Sequence, residues 1–466
     1  MSTALTQPPP HRADDAAQSP RRPPRPPWSS FLRVFGRDAR DVMTYLARHH
    51  GPFVRTRLPM HIYFVSGPAY IEEILVKQAS HFRKDRVSGM LSRAIGEGLI
   101  VSEGELWRRQ RRLMQPAFHQ GELRSYGGVM VDLACEAVAG WRSGEARNLH
   151  EDMMALTLNI VAKLLFGADL AADAQEIGHT ISALMEDFTG ELGLIALTPF
   201  GRLPRPRTWR IRRGVRRLDQ IVYRIIAQRR GSAAHAGNDL LALLLRARDE
   251  DGSRMTDQQL RDETLTLFVA GHETTALVLT YALYLLATHP EQQEILAAEL
   301  AQVLAGRKPE IGDLEGLKFT EAFLLEAMRL YPPAWCIGRQ ALVDVEIGGY
   351  RIPKGSTLFM SQWVVHRDPA LFEDPERFRP ARWMGGEAQR LPRFAYFPFG
   401  GGPRVCIGNR FAMMEATLIL AVLAQRFTFA TTPETKLDLL PTVTLRPRVP
   451  LRLRIAARDA QATAGG

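Results

Sequence analysis

Apolar and polar residues alternate in short runs near both ends of the chain, and this alternation predicts strands. Two runs, "FVRTRL" and "HIYFVSG", lie near the start, and "VDVEIGGYRIPKGSTLFMSQWVV" predicts a hairpin at Gly348-Gly349 followed by a further strand. The closing "PTVTLRPRVPLRLRIAA" is also strand-like. The stretch from about Glu105 to Tyr331 is mainly helical. We therefore predict a mainly α fold with small β-sheets, of the α+β class, in one large domain.

The longest predicted helix lies in "MTDQQLRDETLTLFVAGHETTALVLTYALYLLATHPE". Thr256 and Gln259 form a capping box, and Pro290 marks the end, so the helix has about 32 residues and a length of roughly 48 Å. In its middle, "AGHETT" contains Gly271, which weakens a helix, and Thr274, whose hydroxyl can bond a backbone carbonyl. We expect a local kink there.

The "HETTA" segment resembles the start of a zinc-protease HExxH motif, but the second histidine position is Ala276. His272 is therefore expected to be a packed or solvent-facing residue. The neighbouring pair Glu273 and Thr274 joins an acid to an alcohol, and such a pair can relay protons into a buried site. The alternative is that both residues only shape the kink.

Composition narrows the class of protein. The 466 residues are 45% hydrophobic and 24% charged, which is typical of a globular protein. Three scattered cysteines argue against a disulfide framework and indicate a reducing compartment. No apolar run reaches the roughly 18 residues of a membrane span, so we expect a soluble protein. Residues 1–29 are rich in proline and arginine and are predicted to form a disordered leader before a domain at 30–466.

The excess of basic residues behind the net charge of +10 is concentrated in one segment of the chain. Residues 201–230 contain eleven arginines against the single Asp219, and this surplus of ten equals the whole excess. A solvated helix face is the preferred interpretation, ahead of a patch for a partner or a membrane surface. The distribution therefore argues against nucleic-acid binding.

The segment "FPFGGGPRVCIGNRFA" places Cys406 after three glycines and before a predicted helix. Gly400, Gly401, Gly402 and Gly408 allow backbone amides to turn toward the sulfur, and amides and a helix N-terminus favour a thiolate. Such a thiolate is either a nucleophile or a metal ligand.

Two further motifs are uninformative in isolation. Glu326 and Arg329 in "EAMR" are three residues apart on one helix face, and Trp107 and Arg111 in "WRRQR" are four apart. Pairs of this kind are common on protein surfaces.

The order of the motifs is more specific. "WRRQR", "AGHETT", "EAMR", "DPERF" and "FGGGPRVCIG" follow one another as in the cytochrome P-450 haem-thiolate monooxygenases, which the sequence resembles from about residue 30 to 457. The resemblance implies the cytochrome P-450 fold with one large haem-binding domain. It also implies that Cys406 is the proximal thiolate ligand of the iron of haem b, where a thiolate assists O–O cleavage.

The resemblance assigns roles to other residues by position. Residues expected to contact the haem are Trp107, Arg111, Ala270, Gly271, Arg339, Phe399 and Arg404, with the arginines and Trp107 on the propionates. Glu273 and Thr274 become the catalytic proton relay. Glu326, Arg329 and Arg377 match a structural triad that braces the haem loop.

The resemblance also indicates a branch and partners. Arg404 in place of the usual bacterial histidine, and Glu273 in place of aspartate, resemble the fatty-acid hydroxylase and eukaryotic-like branch. The absence of a hydrophobic anchor and of a fused reductase predicts a soluble bacterial-type enzyme with separate electron donors, which we also expect to be cytoplasmic and monomeric. Electrons from NAD(P)H are expected through a ferredoxin or flavodoxin with its reductase, which would dock near Arg108, Arg109, Arg112 and Arg410.

The expected reaction inserts one atom of O₂ into an apolar small molecule, by hydroxylation or epoxidation. The predicted substrate contacts are Met90, Leu91, Phe268, Val269, Trp335, Ile337 and Val443, with "FTGELGLIALTPF" at 188–200. The alternatives are a haem-thiolate isomerase, dehydratase or peroxide-driven enzyme of the same fold, or a non-catalytic haem sensor. Neither alternative needs the proton relay at Glu273 and Thr274.

Overall fold

Helices form most of the structure. The computed structural model describes residues 21–34, 36–56, 61–167, 176–178, 180, 181, 183, 184, 206–231 and 239–458. In chain order the helices are α1 Trp28–Arg33, α2 Ala39–His50, α3 Pro68–Glu72, α4 Arg86–Met90, α5 Ser92–Ile95, α6 Gly104–Met114, α7 Gln120–Val138, α8 Leu149–Phe166, α9 Pro206–Gly231, α10 Leu240–Arg246, α11 Asp257–Thr288, α12 Pro290–Leu304, α13 Lys318–Leu330, α14 Gln362–Val365 and α15 Asn409–Arg426. This confirms the mainly α class.

Short strands form small sheets. They are β1 Phe53–Arg55, β2 Ile62–Val65, β3 Phe82–Lys84, β4 Ala146–Asn148, β5 Ile337–Ala341, β6 Val345–Ile347, β7 Tyr350–Ile352, β8 Thr357–Met360, β9 Phe427–Thr431, β10 Leu439–Pro441, β11 Leu445–Pro447 and β12 Arg452–Ala457. The largest sheet has the order β1-β2-β8-β5-β3, with β2 and β8 parallel and its other pairs antiparallel. Smaller sheets are β4-β12-β9, β10-β11 and β6-β7.

The predicted hairpin at Gly348-Gly349 joins β6 to β7. Both glycines have positive φ, +55° and +78°, which a type I′ turn requires and which glycine adopts without strain. The short alternating run was therefore sufficient to locate this turn.

The long helix α11 crosses the core. It has 32 residues, and its Thr256–Gln259 capping box is formed, as predicted. Residues 275–283 are buried, and the helix packs against α8 and α15. The helix is continuous through Gly271. There, Thr274 Oγ1 donates to the Ala270 carbonyl at 2.7 Å, and Thr157 Oγ1 of α8 donates to the His272 carbonyl at 2.9 Å.

The first described residues lie on the domain. Arg21 forms a parallel bridge with Tyr350, and the Arg55 N–H donates to the Pro24 carbonyl at 3.0 Å. Proline lacks an N–H donor but can lie beside a strand through its carbonyl. Arg21 and Pro24 thus contact β7 and β1. Residues 1–20 lie outside the described residues, and the leader stays a prediction.

The basic helix α9 is amphipathic. Ile211, Leu218 and Ile225 face the core, while Arg213 and Arg216 are exposed on the opposite side. The pattern agrees with a solvated cationic face. Among the described helices, none has the length and apolar composition that crossing a bilayer requires.

Candidate active site

A cavity of about 370 Å³ lies between the middle of α11 and the loop that carries Cys406. All eight residues that the sequence assigned to cofactor binding line it: Trp107, Arg111, Ala270, Gly271, Arg339, Phe399, Arg404 and Cys406. The fold thus brings together one end of α6, the middle of α11, strand β5 and the cysteine loop.

The loop before Cys406 depends on its glycines. Gly400 and Gly402 have φ of +72° and +67°, in the left-handed region. A Cβ on Gly402 would lie 1.8 Å from the Leu75 carbonyl oxygen, so this position has no room for a side chain. The Cys406 N–H donates to the Phe399 carbonyl at 3.0 Å. The chain therefore turns sharply and presents Cys406 to the cavity.

Opposing effects act on the Cys406 thiol. Cys406 is exposed to the open cavity, but the surrounding protein still desolvates the thiol and raises its pKa above the usual value, whereas the hydrogen bond from the Gly408 backbone N–H and the charges of Arg111 and Lys84 lower it. The net pKa is raised. A bound metal cation would reverse this balance because it binds the thiolate.

Four cationic side chains line one part of the cavity: Lys84, Arg111, Arg339 and Arg404. The Arg404 guanidinium lies 4.0 Å from the centroid of the Trp107 ring and forms an ion pair with Glu103. Arg111 Nη1 donates to the Val405 carbonyl at 2.8 Å. The arginines are therefore held in place by backbone and aromatic contacts as well as by charge.

The positive charge of this cluster is only partly compensated. Burial, together with nearby positive charge, lowers the pKa of Lys84 to about 7 and that of Arg339 to about 10; the charge is that of Arg339 and Arg404 at Lys84, and that of Arg404 at Arg339. Asp85 and Glu103 oppose these changes without cancelling them. Buried cations normally have anionic partners, so the cluster is suited to a ligand with carboxylate groups. Sequence reasoning missed Lys84 because the "HFRKD" segment matched none of the motifs.

One face of α11 forms a wall of the cavity. Leu267, Ala270, Gly271 and Thr274 line it, at positions i, i+3, i+4 and i+7 of the helix. A Cβ on Gly271 would be 3.0 Å from Val161 Cγ2, so glycine allows α8 and α11 to approach closely. Thr274 thus lies where the sequence predicted it.

Glu273 does not line the cavity. The residue is 4% exposed, and its Oε1 accepts hydrogen bonds from Thr444 Oγ1 at 2.5 Å and from Arg446 Nε. Burial raises its pKa, but the hydrogen bond and charge of Arg446, with Thr444, outweigh burial, so the pKa is lowered. In this structure the acid of the predicted pair therefore faces the C-terminal hairpin β10–β11.

The predicted substrate contacts are largely displaced from the cavity. Of the seven, Ile337 lines it. Phe268 is fully buried beside Phe166, because it and Val269 lie outside the cavity-lining face of α11. The other four are Met90 and Leu91, packed against the core, Trp335, whose Nε1 donates to the Thr442 carbonyl at 2.8 Å, and Val443, 37% exposed on the hairpin turn.

Other aliphatic residues form the walls instead. They are Leu99 and Ile100 from the loop before α6, Val161 and Leu164 of α8, Leu240 of α10 and Leu267 of α11. The signal that could have identified Leu267 is its spacing from Thr274 on the helix. The predicted contact segment 188–200 lies outside the described residues.

A buried ion cluster joins α13 to the segment at 375–383. Glu326 and Arg329 of α13 are fully buried and form two hydrogen bonds of 2.8 Å. The second buried cation on Glu326 is Arg382, whereas Arg377 is exposed and contributes its backbone carbonyl to Arg329. This corrects the predicted triad: "PARW" at 380–383 repeats the spacing of "PERF" at 375–378, and the turn there directs Arg382 inward.

Comparison with known proteins gives a consistent result. The sequence model of the cytochrome P-450 family matches residues 20–454. Cyclooctatin synthase of Streptomyces melanosporofaciens is 37% identical over 89% of this chain and 91% of its own length. Cyclooctat-9-en-7-ol 5-monooxygenase of the same organism is 35% identical over 89% and 93%. Pentalenene oxygenase of Streptomyces avermitilis is 33% identical over 88% and 91%. The chain therefore belongs to the cytochrome P-450 family and is a haem-dependent monooxygenase.

Proposed function

We propose that Cys406 is the proximal ligand of haem b and that Lys84, Arg111, Arg339 and Arg404 bind its two propionates. The supporting observation is the combination, in one cavity, of a thiol on a glycine loop and a cationic cluster with too few carboxylates. When bound, haem supplies the activation of O₂ for insertion of one oxygen atom into substrate. Phe399 and Ile407 would cover the sulfur side, and Ala270 and Gly271 the opposite face.

The remaining residues position substrate and protons. Thr274 lines the cavity, and its hydroxyl can pass a proton from the protein side to the reacting oxygen. Aliphatic walls exclude water and hold an apolar substrate through shape. In this proposal Thr274 and Glu273 form the proton relay, and the aliphatic cavity walls determine which carbon atom of the substrate is oxidised.

We infer that the substrate is an apolar cyclic hydrocarbon of the terpene class, or its mono-alcohol. The names of two relatives specify an unsaturated alcohol and pentalenene. The aliphatic side chains of Leu99, Val161, Leu164 and Leu267 suit a compact hydrocarbon better than a polar ligand.

A substrate-binding difference spectrum tests this inference. Cyclic terpene hydrocarbons and alcohols are expected to displace water from the ferric enzyme and so to change its absorption spectrum. Fatty acids of equal carbon number should produce a smaller change. In Ile337→Phe, which fills part of the cavity, binding of the largest terpenes should weaken about fivefold or more, because overpacking is unfavourable by roughly 1–3 kcal/mol. Leu342→Phe, at an exposed position beyond β5, is the control. Equal responses to terpenes and fatty acids would contradict the substrate class.

We also propose that an acidic ferredoxin delivers the electrons at a groove next to the cysteine loop. The groove is lined by Trp107, Arg108, Arg111, Arg112, Gln115 and His119. Arg108 is 61% and Arg112 49% exposed, although each also pairs with an acidic neighbour, Glu105 or Asp249. Arg109 is turned to Asp249 and Ser253 and is less available than the sequence suggested.

Salt dependence distinguishes this docking mode. Reduction by an acidic ferredoxin should slow as salt rises, because the attraction between exposed charges is screened over about 8 Å at physiological ionic strength. The double variant Arg108→Ala, Arg112→Ala should flatten this dependence, and Arg124→Ala, an exposed arginine of α7, should not. A salt dependence that is identical in all three proteins would place the partner elsewhere.

A further inference from the structure

Glu103, the residue just before α6, places a carboxylate beside the cationic cluster. Its Oε1 accepts a hydrogen bond from the Lys84 backbone N–H at 2.6 Å, and its Oε2 accepts one from Arg404 Nη2. The two oxygens thus connect strand β3, which ends at Lys84, to the cysteine loop, which carries Arg404. Two of the four residues that supply positive charge to the cavity are therefore joined by one acid.

The Arg404 guanidinium is held by several contacts at once. Its Nη1 donates to the Ser102 carbonyl at 2.8 Å, its Nη2 pairs with Glu103, and its central carbon lies 4.0 Å from the centroid of the Trp107 ring. A guanidinium has five N–H donors, so these contacts leave donors for a further anion in the cavity. An arginine that is already oriented loses less side-chain entropy when it binds a carboxylate. Glu103 therefore contributes to the direction in which Arg404 faces the cavity.

The other acid near the cluster, Asp85, is bonded elsewhere. Its Oδ1 accepts from the N–H groups of Val87 and Ser88 at 2.9 and 3.1 Å, and its Oδ2 accepts from the Ser88 hydroxyl at 2.6 Å. The bonds from the two N–H groups cap the start of α4. In the described part of the chain, Asp85 therefore acts on the cluster through its charge, whereas Glu103 also bonds to it.

The charges around the cavity match a ligand with two carboxylates. The cluster supplies four positive charges, and two described acids, Asp85 and Glu103, act on its members Lys84 and Arg339. With these six groups charged, the excess of two positive charges equals the charge of two ionised propionates. Loss of the Glu103 carboxylate would leave the bound cofactor in surroundings with one uncompensated positive charge.

Charge close to a haem affects how readily its iron accepts an electron. Reduction adds one negative charge to the cofactor, so positive surroundings favour the reduced form and a nearby carboxylate opposes it. Charges that are partly buried are screened less by salt and water than charges on the surface. The Glu103 side chain is 35% exposed and its partner Arg404 15%, so the pair is partly shielded from solvent.

We propose that Glu103 is a positioning residue of the haem site, which directs Arg404 toward a propionate and keeps the reduction potential of the bound haem low. The inference rests on the proposed binding of the propionates by the cationic cluster. The carboxylate offsets one of the cations and so opposes entry of an electron. Its bonds to Lys84 and Arg404 hold β3 and the cysteine loop together around the cofactor. Neither effect requires Glu103 to contact the haem.

Redox titration of the haem-loaded protein tests the effect of the charge. Glu103→Gln keeps the shape of the side chain and loses the charge, so at a fixed applied potential its ratio of ferrous to ferric haem should be about threefold or more above that of wild type. Glu103→Asp, which restores a carboxylate, should return the ratio toward wild type. Glu105→Gln is the matched control, because it removes the same charge on α6 where the side chain is 78% exposed. A ratio that is unchanged in Glu103→Gln, or that rises equally in Glu105→Gln, would overturn the proposal.

The rate of haem transfer to a scavenger protein tests the positioning of Arg404. Glu103→Ala loses the charge and both hydrogen bonds, and we expect its haem to leave about threefold or more faster than from wild type. Charge alone predicts the opposite, because a more positive cluster holds a dianion more tightly. Glu103→Gln, which keeps an acceptor for the Lys84 N–H, should fall between Glu103→Ala and wild type and serves as the second variant if Glu103→Ala folds poorly. Equal or slower loss from Glu103→Ala, or from Glu103→Gln in its place, would refute the positioning role.

Arg404→Ala separates this inference from the proposed function on which it rests. If Arg404→Ala kept its haem as long as wild type, the assignment of the cluster to the propionates would fail. If Arg404→Ala lost haem faster while every Glu103 variant behaved as wild type, the propionate site would stand and the role of Glu103 would be refuted.

Discussion

Single residues in this protein acquire their chemistry from buried neighbours. Cys406 has glycines that let the chain turn, an N–H from Gly408 and positive charge from Arg111. Cys135, by contrast, is buried against Arg426 of α15, away from the cavity, with the two side chains 3.1 Å apart. The same side chain is therefore a candidate ligand in one environment and a packing residue in the other.

Replacement of the cysteines separates these two environments. Cys406→Ser should abolish the red-shifted absorption band of the reduced carbon monoxide complex, because an alcohol does not supply the electron donation of a thiolate. Cys135→Ser should keep the band. The measurement is the absorption spectrum of each purified variant after reduction under carbon monoxide. A band retained in Cys406→Ser would show that another residue is the ligand.

Glu415 of α15 makes stability depend on pH. It is fully buried, and burial raises its pKa to about 8, a rise that the Thr275 hydroxyl opposes. The folded state therefore prefers the protonated acid. The stability that the folded protein has with this acid protonated is fully present below the ordinary glutamate pKa. It is lost as pH rises toward about 8, because the unfolded chain already ionises the acid in this range. Above that pH, Glu415→Gln should be more stable than wild type by an amount on the order of a few kcal/mol.

Thermal unfolding between pH 5 and about 9 measures this effect. The unfolding temperature of Glu415→Gln should fall less than that of wild type as pH rises, and the two curves should approach each other at the acid end. Glu136→Gln, at an exposed position of α7, should follow wild type throughout. Parallel curves for wild type and Glu415→Gln would refute the buried-acid explanation.

At the scale of elements, different faces of α11 contact different parts of the protein. Near its start, Asp262 Oδ2 accepts from the Glu97 N–H at 2.9 Å and Glu263 Oε2 accepts from the Leu99 N–H at 3.0 Å. Leu99 lines the cavity, so two carboxylates of the helix fix a loop of the cavity wall. Farther along, Thr274 faces the cavity and Glu273 the hairpin. The helix thus links the cavity wall to the hairpin β10–β11.

Removal of the Thr274 hydroxyl should uncouple oxygen insertion from electron consumption. Thr274→Ala is expected to bind haem and substrate and to consume NAD(P)H, while much of the flux goes to hydrogen peroxide, because the proton no longer arrives at the right oxygen. Product, cofactor and peroxide are measured together. Thr288→Ala is a matched control, since Thr288 makes the same type of bond to the carbonyl four residues earlier, at 3.0 Å, near the end of α11. Equal coupling in both variants would remove Thr274 from the relay.

Local sequence predicted those elements whose signals are local. The capping box and Pro290 gave both ends of α11, and two glycines located the β6–β7 turn. The direction of Glu273 was not predictable, because it depends on a hairpin about 170 positions later in the chain. The burial of Arg382 in place of Arg377 was not predictable for a similar reason: both have the same motif spacing, and only the turn at 380–383 decides which side chain is buried. Most of the predicted substrate contacts lie outside the cavity, because hydrophobicity alone does not distinguish the cavity side of a helix from the core side.

At the scale of the whole molecule, the cationic cluster joins distant parts of the chain. Lys84 comes from β3, Arg111 from α6, Arg339 from β5 and Arg404 from the cysteine loop. β3 pairs with β5 in the large sheet, with Lys84 opposite Arg339. Like charges placed next to each other in a sheet are unfavourable unless an anion lies between them. The architecture is therefore arranged around a ligand with negative charge.

Haem retention should reflect this arrangement. Arg404→Ala is expected to lose haem faster than Arg410→Ala, because removal of one partner of a buried pair destabilises it by about 3–5 kcal/mol, whereas an exposed charge contributes roughly 1 kcal/mol or less. Arg410 is exposed at the start of α15. The rate of haem transfer to an excess of a scavenger protein measures the difference. Equal rates would mean that Arg404 does not bind a propionate.

The enclosed positive charge also bears on how the chain matures. Before the dianionic cofactor arrives, Lys84 and Arg339 repel each other across two paired strands, which opposes closure of the sheet and of the cysteine loop. A ligand that binds the native state and not the unfolded chain pulls the folding equilibrium forward in proportion to its concentration. In a producing cell, the supply of porphyrin and iron would then set how much of this polypeptide reaches its native form, and starvation for either would send newly made chains to proteolysis.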